Sequence, residues 1–188
     1  MGKPLSEMTK EELWELFPIF LTDHRAIWSE WYAEEEKRLI GMIPITDIRI
    51  SHIGSTAISG IWAKPIVDIL VELPPNTPME PIRDVLVQND YRCMSEAPNR
   101  KSFNRGYTEK GFAEKVFHLH LRFRGDNDEL YFRDYLNEHP LIAKQYEERK
   151  LSLWKKFEHD RDGYTSAKTS FIAEQTELAK QRYRNKYR

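Results

Sequence analysis

The chain has 188 residues, 40% of them hydrophobic and 31% charged, a balance that is ordinary for a globular protein with a real core. Its formal net charge of −1 provides no global field that would drive it onto nucleic acid or an anionic membrane. No apolar stretch approaches the roughly 20 residues of a membrane helix, and the charged N-terminal segment is unlike a secretory signal. The single cysteine, Cys93, excludes an internal disulfide and fits a reducing compartment. We therefore expect one cytoplasmic domain over residues 1–188, with residues 1–16 as an N-terminal helical extension.

The first elements are predicted to be helices. Thr9 and Glu12 have the spacing of a capping box, which predicts a short helix that ends before Pro18. A second helix is predicted over residues 23–39, because apolar side chains recur there on one stripe. The stripe consists of Trp28, Trp31, Tyr32 and Leu39.

The most informative segment is RISHIGSTAISGIWAKPIVDILVEL, residues 49–73. A strand-like run stops at Gly54, Ser55 and Thr56, and small residues at such a turn let backbone N–H groups point at an anion. This pattern favours a phosphate site at a helix N-terminus; the alternative is a simple N-cap formed by Ser55 or Thr56. The spacing is not that of a Walker A loop. Lys64 could add a phosphate contact or be a solvated surface charge.

The second strand of this segment carries one carboxylate in its middle. Asp68 lies on the face opposite Val67 and Ile69. An acid within a β-branched run is costly to bury, so we expect a partner such as a metal ion or a cation. The alternative is an ion pair with a nearby arginine or lysine, such as Arg122. Glu72, at the end of the strand, is expected to be exposed to solvent.

A helix is predicted over residues 79–89 and a strand over residues 91–94. Residues 98–111 are polar and basic with two glycines, which predicts a loop or an exposed hairpin. Three basic residues in this segment could reach a polyphosphate, although a solvated loop is the simpler interpretation: Arg100, Lys101 and Arg105.

Residues 115–124, KVFHLHLRFR, alternate strictly between apolar and polar side chains, which predicts a strand with one core face. His118 and His120 lie on the polar face, about 7 Å apart in an extended strand. They could bind one metal ion together, or bind a phosphate when protonated. The alternative is an exposed face without chemistry. Arg122 extends the same face, and His52 is either a further ligand or a strand residue with a satisfied ring.

Three helices are predicted to close the chain, over residues 128–137, 140–159 and 164–184. Tyr164, Thr165 and Lys168, at the start of the last helix, have capping geometry and could contact the site. Taken together, the elements predict a mixed α/β chain whose C-terminal third is mostly helical.

Four segments resemble the GrpB-like family, which is assigned to the nucleotidyltransferase superfamily: HIGSTAISGIWAKPIVDILVEL, FHLHLR, LYFRDYLNEHPLIAKQYEERK and YTSAKTSFI. The resemblance implies an α/β (α+β) fold with a short, mixed, nucleotidyltransferase-like sheet, flanking helices and a helical C-terminal addition. In that superfamily a Gly-Ser turn binds nucleotide phosphates, and strand acids hold divalent ions. Gly54 and Ser55 match the turn and Asp68 the first acid, but the second acid position is Leu70. The pair of histidines replaces the later-strand acid.

The leading hypothesis is metal-assisted transfer on a nucleotide or another phosphorylated small molecule. Its catalytic and metal-binding residues would be Asp68, His118 and His120, joined by His52, around Mg, Mn or Zn. The phosphate contacts would come from Gly54, Ser55, Thr56, Lys64 and Arg122. The alternatives are a non-catalytic protein that binds a nucleotide or coenzyme-A-like ligand, and a metal-dependent phosphoester hydrolase. Neither a membrane nor a nucleic-acid partner is expected, and the substrate, the acceptor and the oligomeric state stay open.

Overall fold

The computed structural model describes residues 3–187. Its α-helices are α1 (Lys10–Leu16), α2 (Ile27–Met42), α3 (Glu80–Gln88), α4 (Asp128–Glu138), α5 (Pro140–Trp154) and α6 (Arg161–Tyr183). Its strands are β1 (Arg49–Ile53), β2 (Val67–Leu73), β3 (Arg92–Ala97), β4 (Arg100–Thr108) and β5 (Gly111–Phe123). No helix within the described range is long and apolar enough to cross a membrane.

The strands form one mixed sheet in the order β1-β2-β5-β4-β3. Neighbouring strands run antiparallel except β2 and β5, which are parallel. Strands joined by a short turn pair antiparallel, whereas the parallel pair is joined by a long connection through α3, β3 and β4. The mixed sheet with helices around it confirms the predicted fold class.

One face of the sheet packs on α2 and α3. The alternation in β2 sends Val67, Ile69 and Val71 to this face, where each is fully buried. Trp28 and Leu39 of α2 are fully buried in the same cluster, as the predicted stripe requires. The helix begins at Ile27, four residues later than predicted, and the capping box at Thr9 starts α1 as predicted.

The opposite face of the sheet is covered by the three C-terminal helices. Leu70 of β2 and Ile53 of β1 pack against Leu130 of α4. A second apolar cluster joins α4, α5 and α6 to the segment between β1 and β2, and consists of Ile58, Ile61, Phe132, Leu136, Ala143, Tyr146 and Phe171. The predicted helical C-terminal addition is therefore confirmed, although α5 ends at Trp154 rather than at residue 159.

The polar segment predicted as a loop or an exposed hairpin is a hairpin strand whose ends are exposed but whose middle is buried. β4 lies between β3 and β5, and Phe103 in its middle is 1% exposed. Arg105 Nη2 donates to Glu35 Oε2 at 2.6 Å, and Arg100 forms two hydrogen bonds with Asp126. These two arginines therefore have carboxylate partners within the fold.

The prediction that Glu72 is exposed is wrong. Its side chain is completely buried, because β2 is an interior strand and the C-terminal segment covers its end. Arg49 Nη2 donates to Glu72 Oε1 at 2.6 Å, and Asn127 Nδ2 donates to the same oxygen at 2.9 Å. A buried charge persists only with such partners, so Glu72 is a structural residue.

Candidate functional site

The candidate site lies on the face of β2 and β5 that the C-terminal helices cover. The parallel register pairs Asp68 with His118 and Leu70 with His120, so the carboxylate and both imidazoles share one face. Asp68 Oδ1 is 3.3 Å from His118 Nδ1 and 3.8 Å from His120 Nε2. Each of the three side chains is about a quarter exposed. The structure therefore brings together the predicted aspartate and the predicted histidine pair.

The small-residue turn reaches the same point because Ile53, the last residue of β1, is paired with Asp68. Gly54 follows with a φ of +73°, and a Cβ placed on it would collide with Asp68 Oδ2. Only glycine allows this close approach. Beyond it, however, Ser55–Ala57 form a short 3₁₀ turn rather than the start of a helix. The predicted helix N-terminus is absent from this point of the described chain, so no helix dipole contributes to anion binding there.

The turn and the aspartate line a cleft of about 320 Å³ between the sheet and helices α4–α6. Six of the residues predicted for catalysis, metal or phosphate line it, Gly54, Ser55, Lys64, Asp68, His118 and His120, as do the predicted contacts Tyr164, Thr165 and Lys168. The helices also contribute Glu129, Tyr146 and Lys150. The side chains thus form one shared cavity.

Three lysines converge on the cleft from three different elements: Lys64 from the segment before β2, Lys150 from α5 and Lys168 from α6. Burial is the main reason that their pKa values fall, to about 7 for Lys64, about 7 for Lys150 and about 8 for Lys168. Repulsion from Lys168 lowers the pKa of both Lys64 and Lys150 further. Asp68 opposes the shift at Lys64 and at Lys168.

The positive charge of this lysine cleft is only partly compensated. Lys150 donates to the carbonyl of Trp62, and its ammonium lies 4.8 Å from the centre of the Tyr146 ring. Within residues 3–187, the ammonium groups of Lys64 and Lys168 have no hydrogen-bond or ion-pair partner, and both lie over the ring of Tyr164. An anion that entered the cleft would relieve their mutual repulsion and replace the missing partners.

A chain of polar contacts leads from Asp68 through His118 and Tyr107 to Arg161. Arg161 Nη2 donates to Tyr107 Oη at 2.6 Å, and Tyr107 Oη lies 2.7 Å from His118 Nε2. Because the guanidinium can only donate, the tyrosine hydroxyl donates to His118 Nε2, which leaves the ring proton on Nδ1 facing Asp68. Burial lowers the pKa of His118 despite the opposing effect of Asp68, so the ring is neutral at pH 7.

Asp68 itself stays ionised. Burial alone would raise the pKa of its carboxyl, but the contacts with His118 and His120 outweigh burial and hold the pKa below its usual range. The negative charge of Asp68 therefore persists at neutral pH, on the floor of a cleft whose other charged walls are mainly lysines.

Three predicted residues do not line the cleft. His52 is paired with Ile69 and therefore lies on the opposite sheet face, where its ring stacks on Tyr32 with centroids 4.9 Å apart. Thr56 is buried; its hydroxyl lies 2.9 Å from His52 Nε2 and donates to the carbonyl of Ile66 at 3.2 Å. Arg122 shares the face of His120, but its Nη1 is 2.8 Å from Glu129 Oε1, which lies between it and the cleft.

The residues present do not fit the predicted divalent metal site. Both ring nitrogens of His118 are engaged, His52 is on the wrong face, and position 70 is a leucine. Among the residues that the structure describes, no group of three or more His, Cys, Asp or Glu side chains is arranged to hold a metal ion.

Sequence reasoning missed Tyr146, Lys150 and Glu129 as lining residues. Tyr146 and Lys150 are four residues apart on the buried stripe of α5, where a lysine is unexpected. That break in the apolar pattern was a usable signal. Glu129 sits in the first turn of α4, where an acid is commonplace, so its position gave no signal.

Comparison with known proteins identifies relatives over most of the chain. The family model described as GrpB protein matches residues 18–178. The glutamate-rich protein GrpB of Alkalihalophilus pseudofirmus is 34% identical over 168 residues, which are 83% of this chain and 92% of that protein. A UPF0157 protein of Pseudomonas aeruginosa is 33% identical over 149 residues, 78% of this chain but 61% of that protein.

One solved structure extends this set of relatives. The crystal structure of the conserved protein GrpB from Enterococcus faecalis matches with a TM-score of 0.75 and 26% identity, over 87% of this chain and 99% of that chain. A poly(U) polymerase solved with MgGTP bound also matches, with a TM-score of 0.48 and 13% identity, over 69% of this chain and 42% of that chain. A likeness of that size supports no statement about activity. On the family model and the relatives together, the chain belongs to the GrpB protein family.

Proposed function

We propose that this protein binds a phosphorylated small molecule, a nucleotide above all, in the lysine cleft. The observation that carries the proposal is the convergence of Lys64, Lys150 and Lys168 on one cavity, with Asp68 and Glu129 as the carboxylates of its lining. Holding three ammonium groups together is unfavourable without an anion, and a phosphate group supplies both charge and hydrogen-bond acceptors. A coenzyme-A-like ligand offers the same phosphate chemistry. Cys93 is free, in keeping with the cytoplasmic location that we expect.

The Gly54–Ser55 turn supports the same proposal. It borders the cleft directly beside Asp68, and the glycine leaves the backbone without a side chain at the point of closest approach. In the absence of a helix dipole, we assign the electrostatic attraction to the lysines and a positioning role to Ser55. The binding alternative is thus favoured over metal-assisted transfer.

Binding is tested by calorimetric titration of inorganic tripolyphosphate in the presence of EDTA. We expect saturable binding at pH 7, and Lys168→Met should weaken it about tenfold, the effect of losing one charge-assisted contact. The matched control is Lys37→Met, an exposed lysine of α2 outside the cleft, which should leave the affinity unchanged. Equal affinities of the two variants, or no binding by the native protein, would refute the proposal.

A second candidate function is the metal-free transfer of a phosphorus-containing group from a nucleoside triphosphate to a hydroxyl or amine acceptor. The position of His120 favours it. Its Nε2 lies 3.8 Å from Asp68 Oδ1, and the ring is about a quarter exposed in the cleft. A free imidazole beside a carboxylate can act as a general base, while lysines stabilise the charge that develops on a phosphate. Phosphorus NMR of nucleoside triphosphates incubated with hydroxyl and amine acceptors in EDTA tests this candidate. A product whose rate of formation falls in His120→Gln supports it, and the absence of any product leaves binding alone.

A further inference from the structure

A second cavity, of about 390 Å³, lies beside the lysine cleft. Its walls come from the segment between α1 and α2, from α2 itself and from the start of β5. Lys64 and Ile66 line both cavities, so the two are separated by the thickness of one segment of the chain. A molecule seated in one cavity would therefore border the other.

Three of the residues that line this second cavity are aromatic. Phe20, Trp31 and Phe112 all line it, and they come from three separate parts of the chain. Phe20 and Phe112 are half-buried, with ring centroids 6.0 Å apart and planes tilted by 58°. Faces of this kind bind planar rings by stacking and tolerate different ring systems.

The charges that line the second cavity are mostly positive. Arg25, Lys64 and Arg161 line it together with one acid, Glu114. In the part of the chain that the structure describes, neither arginine has a carboxylate partner, and the guanidinium of Arg161 makes one hydrogen bond, through Nη2 to Tyr107. Guanidinium and ammonium groups can only donate, so they suit a ring that carries carbonyl oxygens or ring nitrogens as acceptors.

We propose that this second cavity binds the base of a nucleotide whose phosphates occupy the lysine cleft. The inference rests on the proposed function and adds the class of ligand: an aromatic heterocycle rich in hydrogen-bond acceptors, joined through a sugar to phosphate. Lys64 lies where the two parts of such a ligand meet. Linking a ring and a phosphate that have adjacent subsites makes the joined molecule bind more tightly than either part.

Ala113 provides a way to close the second cavity without touching the lysine cleft. It is exposed on β5 and lines the second cavity but not the first. Ala113→Trp would fill the space with a residue that strands accept readily, and Ala113→Ser is the matched control that leaves it open. Thermal unfolding of both variants would show whether the fold is retained.

The experiment compares the affinity for tripolyphosphate with the affinities for ATP, GTP, CTP and UTP, all in EDTA. We expect at least one nucleotide to bind about tenfold more tightly than tripolyphosphate, and Ala113→Trp to remove this advantage while tripolyphosphate binding changes less than about twofold. Ala113→Ser should behave as the native protein. If tripolyphosphate binds but no nucleotide binds more tightly, or if Ala113→Trp leaves the advantage intact, the second cavity is not a base site. If tripolyphosphate does not bind, the proposed function fails first and the inference with it.

Discussion

Replacing Lys64 with methionine should stabilise the ligand-free protein, and the gain should depend on pH. Lys64 is held with Lys168 and Arg161 nearby, and its pKa falls from 10.5 to about 7, chiefly through burial. A lowering of that size corresponds to roughly 5 kcal/mol at about 1.4 kcal/mol per pH unit. Because Lys64 keeps part of its contact with solvent, we discount this to about 2 kcal/mol.

The sign follows from proton binding. Between about pH 7 and pH 10.5 the unfolded chain holds a proton on Lys64 that the folded protein releases, so the free energy of unfolding rises with pH. Below pH 7 both states are protonated and the full cost of the buried charge remains. Methionine has a similar length and no charge. Lys64→Met should therefore gain about 2 kcal/mol at pH 6, roughly 4–8 °C in Tm, and nearly nothing at pH 10.5.

Urea denaturation of Lys64→Met and of the native protein at pH 6 and pH 10.5 measures this gain directly. Lys37→Met, on the exposed surface of α2, is the control and should differ from the native protein by less than about 0.5 kcal/mol at both pH values. A gain that is equal at the two pH values would mean that apolar packing, not charge, is responsible. A loss of stability at pH 6 would refute the claim that Lys64 is an uncompensated cation.

Three further outcomes are expected. Gly54→Ala should lower the free energy of unfolding by about 3 kcal/mol, because the new Cβ collides with Asp68. The control is Gly60→Ala, at a φ of +72° with open space around it, which should cost about 1 kcal/mol. Equal costs in urea denaturation would contradict the close approach of Gly54 to Asp68. Tyr107→Phe removes the hydroxyl that donates to His118 Nε2, so the pKa of the His118 imidazole should rise in an NMR titration. An unchanged pKa would show that the hydroxyl does not fix the tautomer. Glu72→Gln should lower the free energy of unfolding by about 2 kcal/mol, because it leaves a partly buried guanidinium without its carboxylate; a loss below about 0.5 kcal/mol would contradict a structural role.

The sheet and its polar face could be predicted because strand alternation is a local property. The positions of His118 and His120 follow from the period of β5, and that of Asp68 from the period of β2. Their proximity depends on the parallel pairing of the two strands, which no local pattern specifies; the family resemblance implied only that these residues share a site. The same period explains why His52 does not line the cleft. His52 is paired with Ile69 rather than with Asp68, so its side chain lies on the other face of the sheet.

Lys168 is among the predicted site contacts, whereas Lys150 could not be predicted in the same way. Lys150 and Lys168 meet Lys64 only through the packing of α5 and α6 against the sheet, which no local pattern specifies. Without them, the aspartate and the histidines suggest a metal, because a carboxylate and imidazoles are typical ligands. With them, the same residues lie in a cleft whose charge favours anions. The difference between the two hypotheses is thus a matter of tertiary structure.

A crystal structure of the protein with tripolyphosphate bound, grown in EDTA, tests the central claim most directly. Our account predicts phosphate oxygens within about 3 Å of the ammonium groups of Lys64, Lys150 and Lys168, next to the turn at Ser55. Tripolyphosphate bound at another surface while the cleft stays free of it would contradict the account.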